Sequence, residues 1–268
     1  MADNGGIAPT QKGGQKRKSL LADVFVRLIK EKPLGTFGAG IVLLLVVVAI
    51  FADVLSPYGM TEISVFERLK PPSPDHWLGT DHLGRDLLSR IMHGARISLV
   101  VGFVTATLGT GLATAIGLVS GYAGGKIDML IQRIIDGLLC FPIVVLVLSL
   151  IAIVGPSLWN VIMVLGFSFA YRWVRAIRSS VISIKENVYV EAARAIGVPT
   201  SRILWRHILP NIFPVVIIIL TLAMGQAILI EAILSFLGFG VPPPAPSWGG
   251  MLSGIGRRYL ELAPWIAF

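Results

Sequence analysis

The sequence predicts an all-α polytopic membrane protein, and three observations carry that prediction. Apolar residues make up 54% of the 268 positions and charged ones only 14%, where a soluble domain is about a quarter charged. Mean hydropathy is +0.79. Several apolar runs approach or exceed the roughly 20 residues that a helix needs to cross a bilayer. The length alone would suit one or two soluble domains, and the composition excludes them.

The elements follow in order. Residues 1–18 are rich in Gly, Lys and Gln and are expected to form a disordered cytoplasmic tail. Over 19–32, Ser19 caps an expected interfacial helix that carries Leu20, Leu21, Val24, Phe25 and Leu28 along one side. Pro33 to Ala52 contains no charge and reads as the first span, a basic-flanked anchor that stays in place. From Asp53 to about Arg96 the chain turns polar, and Pro71, Pro72 and Pro74 break any long helix, so 53–96 is expected outside. The second span is expected over 97–121, with Gly102, Gly109, Gly111 and Gly117 allowing close helix packing. After a turn at Gly124 to Lys126 comes a third span over about 129–154, closed by an outer turn at Gly155-Pro156. The fourth covers about 158–171 and continues as a helix through Arg172, Arg175 and Arg178. The fifth covers about 212–239 and is expected to end at Pro242-Pro243-Pro244. Residues 263–268 read as the start of a sixth span, cut short.

The net charge of +8 raises nucleic acid as a partner, but its distribution points elsewhere. Lysines and arginines cluster in the first 32 residues and again in 172–206, both beside apolar spans, which is how cytoplasmic segments are marked. No aromatic-basic platform accompanies them. Counting spans from a cytoplasmic N-terminus also puts 172–210 in the cytoplasm. The single cysteine, Cys140, lies in an apolar run and leaves no disulfide to form.

That loop carries the most informative pattern. Glu191-Ala192-Ala193 is followed by Gly197 and then by Leu209-Pro210. A helix is expected through Ile196, with Gly197 at the position after it where left-handed geometry suits glycine. Pro199 forbids continuation, and Thr200 or Ser201 is expected to cap a second helix through about Ile208. Ala192 and Ala193 would let a partner's surface approach closely. The plain alternative is an amphipathic hairpin with no partner.

Here the chain resembles a known family. The loop is similar to the EAA loop of ABC-importer permeases, with His207 standing where the family usually has an apolar residue. The run from His76-Trp77-Leu78-Gly79-Thr80-Asp81 through Gly84-Arg85-Asp86, Ser89-Arg90 and Gly94-Ala95-Arg96 resembles a signature of the C-type permease subunits of dipeptide, oligopeptide and nickel importers. A third match is Ile230-Glu231-Ala232 through Gly238, with Pro243 and Pro246-Ser247-Trp248-Gly249. The likeness covers about 19–268. It implies the transmembrane domain of a type I ABC importer over 33–268, with six helices of which the last is truncated here. It further implies half of a translocation pore in a bacterial or archaeal inner membrane, completed by a second homologous permease subunit. Two ABC ATPase subunits would bind ATP and Mg and hold the coupling loop at Glu191, Ala192, Ala193, Gly197, Leu209 and Pro210. An extracytoplasmic binding protein would deliver peptides, with nickel, glutathione or oligosaccharides as alternative cargo.

Other residues suggest further chemistry. Gly124-Gly125-Lys126 is no phosphate loop, because Ser120 replaces the first glycine and Ile127 the final hydroxyl; no cofactor is expected in this chain. His76, Asp81, His82, Asp86 and His93 suit either a metal cluster or capping and ion pairing around a helix start, and the second is expected. Arg133 and Asp136 stand three apart in the third span and are expected to pair. Glu231 lies midway along the fifth span with no local cation, either facing the translocation path or fixing a neighbouring helix. No catalytic constellation is present, so no enzyme is expected. The rival reading is a self-contained secondary transporter or channel, for which Glu231 is the one isolated proton site.

Overall fold

The computed structural model describes residues 29–253, 259 and 262–266. The expected tail over 1–18 and most of the interfacial helix expected over 19–32 lie outside the described residues. The described residues divide into two units, one up to Leu45 and one from Val46 onward. The first contributes most of helix α1, Pro33–Ile50, which is uncharged and begins on a proline whose missing N–H would have no helical partner there.

The second unit is helical, with one isolated bridge, Thr80 to Asp86, among the described residues. After a short turn α2, Ala52–Leu55, come α3, Leu87–Ala123, and α4, Gly125–Leu139. Next are α5, Ile143–Val154, α6, Leu158–Lys185, and α7, Val188–Ala195. The chain closes with α8, Thr200–Ile203, α9, Leu209–Phe236, and a short α10, Trp248–Met251. Pro33–Ile50, Leu87–Ala123 and the continuous run Thr200–Phe236 are long and apolar enough to cross a membrane, and α4 with α5 make a fourth if counted as one bent span. The expected fourth span is the uncharged half of α6, whose second half dilutes it with Arg172, Arg175 and Arg178.

Several expected boundaries move, each for a physical reason. The second span begins ten residues earlier than its apolar run, because Arg90 and His93 are buried and Arg96 is tied to carbonyls at Ala49 and Ile50 rather than free in water. The third span is not one helix. It breaks between Leu139 and Ile143 and turns by 87°, where Pro142 lacks the N–H and its ring blocks the preceding turn. No separate second loop helix ends at Ile208. Instead α8 runs on through a π-helical turn, Leu204–Ile208, into α9, with the Leu209 N–H bonded five residues back to Leu204. The wider turn makes room for Pro210, whose ring would crowd the Arg206 carbonyl four residues earlier. Finally α9 ends at Phe236, before the prolines, because Gly238 adopts φ +85° and Phe239 N–H returns to Leu234.

In lipid there is little hydrophobic drive between helices, so packing depends on close approach. Helix α3 supplies it against α6 and α9. A Cβ on Gly109 would lie 2.9 Å from the Gly166 carbonyl, one on Gly117 2.7 Å from Ile177, and one on Gly102 2.7 Å from Ile228. Gly111, expected to do the same, faces open space.

Candidate functional site

Helix α7 and the turns around it form the protrusion that the sequence singled out. Asn187 starts it: its side chain donates to the Ile184 carbonyl at 3.1 Å, finishing α6, while its own carbonyl accepts from Val190 and Glu191. Gly197 finishes it at φ +79°, with Gly197 N–H to Arg194 and Val198 N–H to Ala193. This is the predicted glycine stop.

Val190 and Ala193 point inward and pack with Ile203, Ile208, Ile212 and, from the long helices, Leu118, Ile177 and Val181. The expectation that Ala193 meets a partner is therefore corrected: it is 6% exposed and fills the loop's own core. Glu191 and Ala192 are exposed, Leu209 is half-buried against the same core, and Pro210 is exposed. Between them they leave an apolar stripe at helical spacing, Val188, Ala192 and Ile196, whose two ends are 81% exposed. Trp205, 69% exposed, belongs to the same protrusion. The spacing of Val188 and Ile196 around Ala192 was a signal available in the sequence and missed there.

The protrusion is tied to the end of α3. Lys185 Nζ donates to the Tyr122 carbonyl at 2.6 Å, and the Tyr122 ring lies 5.5 Å from that ammonium and 5.1 Å from the Arg194 guanidinium. Nearby, Arg178 grips Asp128 with two bonds, at 2.6 and 2.5 Å, and Ser120 and Gln132 complete the cluster. Asp136 takes Arg175 as its main, hydrogen-bonded partner, and the expected ion pair with Arg133 is also present at 3.8 Å. Sequence reading missed Arg178–Asp128 and Arg175–Asp136 because the partners are 50 and 39 positions apart.

The other two motifs meet at the opposite end of α3. Asp86 caps that helix, accepting from Ser89 N–H at 2.8 Å, and bonds His76 Nδ1 at 2.9 Å. Asp81 accepts from Arg85 Nε at 2.7 Å, and His93 lies 3.3 Å from Asp53, whose carboxyl Arg96 holds below the usual range. His82 stacks on Tyr259. These five residues are thus engaged in capping, pairing and stacking, and do not converge on one point. Trp248 Nε1 donates to the Ile91 carbonyl at 3.1 Å, and a Cβ on Gly249 would fall 2.3 Å from Ala232. Between the two motifs lies a cleft of about 320 Å³ that Arg90, Asp81 and Ser247 line. Pro264–Ile266 form a short turn, with Ile266 packed on Leu87. Glu231 is fully buried beneath this collar; Ser235 Oγ donates to its Oε1 at 2.6 Å, and Ser247 reaches Ser235 at 3.1 Å.

Comparison with known proteins gives the family. Residues 113–268 match the model of the binding-protein-dependent transport system inner membrane component family, and 19–72 match that of the N-terminal transmembrane domain of oligopeptide transport permease C. The chain is 42% identical to a dipeptide transport system permease of Alkalihalophilus pseudofirmus, over 88% of this chain and 78% of that one. It is 37% identical to an oligopeptide transport system permease of Bacillus subtilis, over 100% and 86%. It is 38% identical to a glutathione transport system permease of Pectobacterium atrosepticum, over 84% and 75%. With that model covering more than half of its length and these relatives covering most of it, the chain is a permease of the binding-protein-dependent transport system inner membrane component family, with the transmembrane fold of type I ABC importers.

Proposed function

We propose that this chain is one of two permease subunits of an ATP-driven peptide importer, and that residues 186–210 transmit the motion of the ATPase subunits to the spans. The observation that carries this reading is the stripe Val188, Ala192 and Ile196. It is an exposed apolar surface on a helix whose other face is locked into the protein, and such a surface needs a partner. Glu191 beside it gives that partner a charge to read. ATP and Mg are bound by the two ATPase subunits, and a second, homologous permease completes the pore. An extracytoplasmic binding protein delivers the substrate, and the N-terminus and the loop lie in the cytoplasm of a bacterial or archaeal cell.

Peptides are favoured as cargo because dipeptide, oligopeptide and glutathione permeases all stand among the relatives. The self-contained transporter is not favoured: Glu231, its one candidate proton site, is packed under the collar with Ser235. When the ATPases close, the protrusion is drawn with them, and the pore alternates its opening as a rigid-body switch.

Two measurements test the reading. Ala192→Arg puts a long cation on the exposed stripe without touching the loop's core. The two permeases should still assemble, while capture of the ATPase subunits falls about tenfold or more. Undiminished capture would overturn the docking assignment. Vesicles holding the whole complex should take up di- or oligopeptides with ATP, and uptake of nickel or an oligosaccharide in their place would overturn the cargo assignment.

A further inference from the structure

We propose that α4 is not part of a span but lies in the membrane plane on the loop side, where Lys126 and Arg133 bind the headgroups of anionic phospholipids. This inference needs no ATPase and does not rest on the coupling role of α7.

The depth of α4 follows from its ion pairs. Asp128 meets Arg178 and Asp136 meets Arg175. Eight residues of α4, about 12 Å, are thus matched to three residues of α6, about 4.5 Å. The two helices therefore cross steeply. The arginines involved lie just past the uncharged run of α6, so α4 sits at the depth where that helix leaves the hydrocarbon. Helix α5 then departs from α4 at 87°. Its twelve residues cover about 18 Å and run beside the apolar half of α6.

The faces of α4 are sorted accordingly. Both acids are turned to α6 and neutralised there. Ile135 is buried on that side, with Val174. The outer side carries Ile127, Leu130 and Ile134, spaced three and four apart and each more than half exposed. Lys126 and Arg133, seven apart, flank this stripe; both are exposed, and although Arg133 also lies 3.8 Å from Asp136, that carboxylate is shared with Arg175 and leaves the group one net positive charge. What remains outward is apolar and cationic. That pattern matches the boundary between acyl chains and negative headgroups, with the stripe in the chains and the two cations among phosphates.

The test uses the assembled complex in nanodiscs. A bimane label is placed on Leu130→Cys, and separately on Ile134→Cys, in a Cys140→Ser chain. Nitroxide lipids labelled at headgroup depth then probe each site. Both should be quenched, and more strongly by phosphatidylglycerol than by phosphatidylcholine nitroxide. In the Lys126→Gln, Arg133→Gln chain the preference for phosphatidylglycerol should fall about fivefold per cation removed. Labels shielded from both lipids would mean that the second permease covers this face, and the proposal fails. It fails equally if both lipids quench alike in the unaltered chain, or if the double variant keeps its preference. Both label positions are exposed, so the substitutions leave packing intact; binding of unlabelled phosphatidylglycerol by native mass spectrometry reads the same preference without any label.

Discussion

Gly197 and Gly238 each close a helix in the left-handed region, at φ +79° and +85°, and neither has a neighbouring atom within 4 Å of a would-be Cβ. Their role is therefore conformational, not steric. Gly197→Val should cost about 1–2 kcal/mol of backbone strain and displace the end of α7, lowering transport in reconstituted complexes while the chain still inserts. The α3 glycines behave in the opposite way. Gly109 has ordinary helical geometry and a carbonyl pressed against it, so Gly109→Leu should force the helices apart at about 1–3 kcal/mol, read as a lower melting point in detergent. Gly111→Ala should leave melting unchanged or slightly raised, since nothing lies near it. Ala193 and Ala192 make a further contrast. Ala193→Arg must drive a cation into the Val190, Ile203 and Ile208 core and should make the loop sensitive to proteolysis, whereas Ala192→Arg should leave it resistant.

Individual helices are positioned by a few directed bonds at their ends. Asp86 caps α3 while engaging His76, so Asp86→Ala should destabilise the collar by about 1–2 kcal/mol, checked by thermal unfolding. The Arg178–Asp128 pair fixes α4 to α6 and is shielded on the carboxylate side. Asp128→Asn should lower stability by about 1–3 kcal/mol in the same assay, and swapping the charges by Asp128→Arg with Arg178→Asp should restore part of it. Element type was legible wherever one kind of signal ruled. Apolar runs marked α1, the inner part of α3 and α9, and Gly197 marked the end of α7. Element ends were legible only where the signal was local. The break before Pro142 was missed because the apolar run continues across it, although the proline itself was the signal. The early start of α3 was missed because charges normally mark water, and only the partners of Arg90 and His93 show that these are buried.

At the scale of the whole molecule, the topology gives the widest test. In a Cys140→Ser background, a cysteine at Arg194 should react only with a reagent on the cytoplasmic side, and one at Trp77 or Trp248 only from outside. Reaction of Arg194→Cys from outside would reverse the orientation and remove the ATPase from reach of α7. Such an expectation rests on charge count and span order, both linear properties, which is why the sequence alone is enough to frame it. The membrane class, the run of spans, the glycine-stopped loop and the family likeness are linear in the same sense: each is a pattern within a few tens of residues. Which residues face one another is not. Ile91 and Trp248 stand 157 positions apart and yet share a hydrogen bond that joins two of the three motifs into one collar. Ala193 and Ala192 are adjacent and chemically identical, but a rotation of about 100° per residue sends one into the core and leaves the other exposed. Asp136 reads from the sequence as a charge in a span beside Arg133, and only the tertiary structure brings Arg175 of α6 to it. Local chemistry fixes what each segment is, whereas the side that a residue presents depends on how distant helices approach, and that is decided by packing in three dimensions.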